Sequence, residues 1–170
     1  MEPAEVLEQP GRTPLRRRTR WVLAVAALVL VAGWAADHEL REREQRAVER
    51  CADATAAATA RTDASMAMIR TYVQPALLSV PSGSSQDGFF ALVAEEAREA
   101  EPRVRDALAR CEEVDVLAVH LGLTERRDAY VAHLSARADW LAEIGADGRA
   151  YYRDRPELAR LREAALGDRP

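Results

Sequence analysis

Apolar and charged positions recur along most of this chain at spacings of three and four, and in one stretch the charges stop. Residues 21–36, WVLAVAALVLVAGWAA, carry no charge; Arg16, Arg17, Arg18 and Arg20 precede them, and Asp37, His38 and Glu39 close the run. Sixteen helical residues reach about 24 Å. That is short of a hydrocarbon core of about 30 Å, but usable where the bilayer thins or the flanking arginines snorkel. Trp21 and Trp34 stand near the two ends, where indole rings prefer the interface. The pattern predicts a transmembrane anchor. A cleaved signal peptide is the competing reading, with Gly33-Trp34-Ala35 as its small-residue site. The run is long for an h-region, and a tryptophan fits such a site poorly.

Beyond the run, residues 38 to about 74 contain no Gly or Pro and read as one long helix, able to continue the anchor. Val48, Cys51, Thr55, Ala58, Thr62, Ser65, Ile69, Tyr72 and Ala76 form a heptad-like stripe of mostly small residues. Pro75 and Pro81 end or kink it, PSGSSQDG (81–88) reads as a turn, and Asp87 as the next N-cap. A second stripe runs Phe90, Val93, Ala97, Ala100, Val104, Ala107 or Leu108, Cys111. Pro102 falls inside it, which predicts a kink or a split. Residues 114–123 alternate loosely and are assigned to the end of helix two and a turn at Gly122, with Thr124 as N-cap. Tyr130 or Val131, Leu134, Ala138, Leu141 and Ile144 or Gly145 mark a third helix that Asp147-Gly148 ends. Asp154 with Glu157 resembles a capping box, Pro156 lies in a first turn and Gly167 just past an end, giving a short helix over about 155–166.

The fold class expected is therefore all-α. An N-terminal single transmembrane helix is followed by an extracytoplasmic antiparallel bundle of three long helices and one short. Residues 1–20 are expected to be a disordered cytoplasmic tail, 21–36 the anchor and 37–170 the helical domain.

Composition supports helix. Of 170 residues, 34 are Ala and 24 are Arg, with no Lys, no Asn and two Ile. Ala and Arg are strong helix formers, and the bias is that of a GC-rich bacterial genome. Charge sets the expected orientation. Residues 1–20 carry five Arg and three Glu, hence +2, while 37–170 carry nineteen Arg and twenty-five acids, hence −6. By the positive-inside rule the N-terminus is cytoplasmic and the larger part lies outside. In that oxidising compartment Cys51 and Cys111 are expected to form a disulfide. A hairpin turning near residue 84 brings them to similar heights.

Chemistry is sparse. There is no GxSxG, no CxxC and no Walker A lysine, and His38, His120 and His133 lack ligand or triad spacing. His120 reads as a turn or part-buried imidazole. Arginines alternate with acids, and Glu99–Arg103, Glu101–Arg105 and Asp106–Arg110 have ion-pair spacing, so no basic stripe suits nucleic acid. Trp140, Tyr151 and Tyr152 form the most suggestive cluster, either core packing or an interaction surface. No cofactor, metal or catalytic set is expected. The chain reads as a non-catalytic, membrane-anchored interaction or scaffolding module of the bacterial envelope, contacting the lipid bilayer and an envelope protein or itself. A ligand-sensing bundle, or a secreted helical protein released by signal cleavage, are the alternatives.

Overall fold

A computed structural model describes residues 15–75 and 83–167. The expected tail up to residue 14, Ala76 at the end of the first stripe, and residues 81–82 of the expected turn lie outside the described residues. The chain divides into two compact units, Met1–Arg41 and Glu42–Pro170.

Among the described residues four helices carry the fold: α1 (Leu15–Met68), α2 (Gly83–Glu112), α3 (Leu121–Ala146) and α4 (Pro156–Leu166). A π-helical turn, Ile69–Val73, prolongs α1, and a 3-10 turn, Gly148–Tyr152, precedes α4. No strand occurs among the described residues, so the alternation of 114–123 does not make one. In the first unit α1 starts inside the segment expected to be a tail. Its apolar stretch is the one described helical segment long and apolar enough to cross a membrane, and none of it is buried. Trp21 and Trp34 are 67% and 69% exposed.

The second unit is a bundle whose directions follow from cross-helix pairs. Cys51 meets Cys111, so α1 and α2 are antiparallel. Thr59 meets His133 and Asp63 meets Arg137, so α1 and α3 run the same way. Tyr151, before α4, meets Arg70, and Arg162 within it meets Asp63, so α4 runs antiparallel to both. The core combines Val48, Cys51, Ala52 and Met66 of α1 and Ile69 of the π-helical turn with Phe89, Val93, Ala97, Ala100, Val104 and Cys111 of α2 and Tyr130, Leu134, Leu141 and Ile144 of α3.

Several local expectations are corrected. Residues 83–88 are helical, so the turn does not extend to Gly88, and Asp87 is not an N-cap; it faces Arg149 at 3.4 Å. Gly and Ser cost a helix little in its first turns, and Phe89, just beyond, is buried in the core. One helix passes through Pro102, which excludes a split. Pro102 is exposed, while Ala97, Ala100 and Val104 hold both sides of it to the core. α2 stops at Glu112, and α3 starts before Thr124, with His120 as its N-cap residue. α4 is entered from Arg155 without a side-chain cap, so Asp154 closes no capping box. The core faces also differ by one position in places. Thr59 and Met66 are buried where Ala58 and Ser65 were expected, and Phe89 where Phe90 was.

Candidate functional site

The α1 face inside the bundle is polar in its middle. Thr55, Thr59 and Thr62 are all buried. Thr55 and Thr62 each donate to the carbonyl four residues earlier, Cys51 and Ala58, at 2.8 Å. A threonine hydroxyl can satisfy itself in this way within its own helix; Thr55 also lies 3.8 Å from Cys111 Sγ on α2. Thr59 instead faces His133 Nε2 at 3.4 Å.

His133 is 1% exposed, and its Nδ1 has no hydrogen-bond partner. Burial, followed by the positive charges of Arg137 and Arg162, pushes its pKa down to about 4, although Asp63 acts the other way. The imidazole is therefore neutral near pH 7.

One turn along α3, the buried Arg137 donates from Nη2 to Asp63 Oδ1. Arg162 of α4 stands 3.2 Å from the other oxygen, Oδ2, close enough for charge attraction but not aligned for a hydrogen bond. The Arg137 guanidinium lies 5.9 Å from the Trp140 ring centre. Two hollows, of about 350 and 380 Å3, open around Asp63, Trp140 and Arg162.

The aromatic cluster lies next to the second hollow. Tyr151 is buried and accepts from Arg70 Nε at 3.1 Å; Tyr152 is exposed and accepts from Gln74 Nε2 at 2.6 Å. Their rings meet Phe89 and Phe90 at 5.3–6.5 Å separations among the four. Tyr151 is thus a packing residue that ties the 3-10 turn to α1 and α2. Trp140 is half-buried on the groove, so the three aromatics do not form one exposed surface. Gly148 sets the approach of this turn. A Cβ there would come 2.0 Å from the Phe90 carbonyl oxygen, so the backbones meet where only glycine fits.

The opposite end of the bundle carries the α2–α3 loop. Glu44 is buried and accepts from the Leu117 backbone N–H at 3.1 Å and from His120 Nδ1 at 2.5 Å. Arg127 Nη1 donates to the Val114 carbonyl at 3.1 Å. With the loop backbone pinned by these groups, Leu117, Val119 and Leu121 point outward, Val119 being 75% exposed.

Of the residues expected to matter, Cys51 and Cys111 are joined, with Cα atoms 5.0 Å apart. Arg18, Arg20, Trp21 and Trp34 are exposed on α1; Arg16 and Arg17 lie on the same helix. Glu101–Arg105 and Asp106–Arg110 pair at 2.7 and 2.6 Å. His120 and His133 have different partners and do not converge. Among the described residues no three His, Cys, Asp or Glu side chains gather into a metal-holding group. Glu44, Asp63, Arg137 and Arg162 were not singled out by sequence. The one available signal was Arg137 sitting with His133 beside the apolar stripe of α3. Against known proteins, the chain matches no family model, no curated sequence and no solved structure.

Proposed function

We propose that this is a membrane-anchored, non-catalytic interaction module of the bacterial envelope, with a cytoplasmic N-terminus and an extracytoplasmic bundle that docks on another envelope protein or on a second copy. The observation that carries this reading is the pairing of an unburied apolar helical stretch, Trp21 to Trp34, with a bundle that has its own core and disulfide. An exposed stretch of that composition is stable in lipid and aggregation-prone in water. The disulfide favours an oxidising compartment. The arginines before the stretch favour retention of the N-terminus inside.

Docking is assigned to the α2–α3 loop together with the first residue of α3. Single exposed apolar residues are ordinary on a protein surface. Here three large ones fall within five positions, Leu117, Val119 and Leu121, on a backbone held in place by Glu44. An ordered apolar tip loses little entropy on binding. A photo-crosslinking residue placed at Val119 of the full-length protein in membranes should give one discrete protein adduct, hetero- or homomeric. The same residue at Ala60, on the exposed face of α1, should give none. Adducts to lipid alone, or equal labelling from both positions, would overturn the assignment.

A further inference from the structure

We propose that the groove between α1, α3 and α4 binds a small aromatic monocarboxylate. The two hollows share Asp63, Trp140 and Arg162, and their volumes, about 350 and 380 Å3, fall within the range of small-molecule sites. Guanidinium groups reach the groove from every element around it: Arg70 after α1, Arg137 from α3 and Arg162 from α4. Asp63 and Glu163 are the acids that line it. In the second hollow Arg70 and Arg162 face Asp63 alone, which leaves one positive charge and suits a monoanion.

The donors are also incompletely used. Arg137 is 6% exposed, yet its Nε has no hydrogen-bond partner. Asp63 occupies one of its terminal nitrogens and is only loosely approached by Arg162. The Arg137 Nε is sealed from solvent, so the fork that a ligand can reach is that of the exposed Arg162, whose geometry a planar carboxylate matches. The rest of the wall is apolar or aromatic. Trp140 and Tyr151 flank the second hollow and the buried Met66 lines it. An acid head toward Arg70 and Arg162 with a ring between Trp140 and Tyr151 uses both features of the second hollow.

The site is independent of the docking loop, so it stands or falls apart from the anchor and its partner. The test is calorimetry and saturation-transfer NMR on the full-length protein with phenylacetate, using phenylacetamide and acetate as controls lacking the charge or the ring. Phenylacetate should bind roughly tenfold more tightly than either control. Arg162→Gln, at an exposed position, should weaken binding roughly tenfold while leaving the helical circular dichroism unchanged. Trp140→Leu should weaken it roughly fivefold. Arg50→Gln, remote from the groove, should leave it unaltered. Absence of phenylacetate binding overturns the proposal. So does equal binding of phenylacetamide or acetate, or wild-type affinity in both Arg162→Gln and Trp140→Leu.

Discussion

Burial with too few partners governs His133. Its pKa is about 4 in the folded chain, against an ordinary 6.5, because desolvation and two nearby arginines oppose the imidazolium. Above pH 6.5 the ring is neutral in both folded and unfolded chains, and the full stability is present. As the pH falls from 6.5 towards 4 the unfolded chain takes up a proton that the folded one refuses, so stability is lost across that window and no further below it. The full loss is on the order of 3 kcal/mol at 1.36 kcal/mol per pH unit. Chemical unfolding at pH 7.5 and pH 4.5 should therefore show wild type losing about 2 kcal/mol more than His133→Gln between the two. Equal losses would mean that the imidazole is already protonated, or hydrated, in the folded state.

At the scale of elements, the α1–α2 pair combines a weak seam with a covalent clip. The buried face of α1 runs Val48, Ala52, Thr55, Thr59, Thr62, Met66 and Ile69, a true heptad in which the central positions are small. Small side chains let helices approach closely but remove little apolar area from water. The bridge from Cys51 to Cys111 closes a separation of 60 residues, for which the chain-entropy estimate is about 4 kcal/mol. Cys51→Ala, Cys111→Ala and the double variant should each lose about 2–4 kcal/mol. Denaturant unfolding that shows no additional loss in the double variant identifies the pair as one unit. Additive losses would mean instead that each sulfur contributes by packing alone.

For the whole molecule, charge placement is what the proposed orientation rests on. The arginines crowd one end of the uncharged run and acids follow the other. An alkaline phosphatase fused after residue 170 should be active in the intact cell, because that enzyme folds only outside the cytoplasm. A cytoplasmic reporter at the same site should be silent. The reverse pattern would overturn the orientation and remove the oxidising compartment invoked for the disulfide. Recovery of full-length chain, with residues 1–36, in the membrane fraction distinguishes a retained anchor from a released domain.

Periodicity and composition, read from the sequence alone, determined the helical class, the four helices, the apolar stretch near the N-terminus and the pairing of two cysteines. Each of these depends on residues close in sequence, or on a residue type with few options. Helix spacing, Pro and Gly breaks such as Asp147-Gly148 and Gly167, and an even cysteine count are all local signals. What escaped was decided by neighbours distant in sequence. In a stripe of Ala, Thr and Ser the contrast between faces is small, so whether Ala58 or Thr59 turns inward depended on which helix arrives opposite. Phe89 is buried in the core with Phe90 packed at its edge, and Gly148 is required only because the Phe90 backbone lies against it. Glu44, Asp63 and Arg162 look like ordinary surface charges in a chain that is 31% charged. Tertiary structure alone brings Glu44 beneath the loop at Leu117 and His120, and sets Asp63 between Arg137 and Arg162. The physical reason is the range of each interaction: periodicity acts within a helix, whereas desolvation and charge pairing act between helices that only the fold brings into contact.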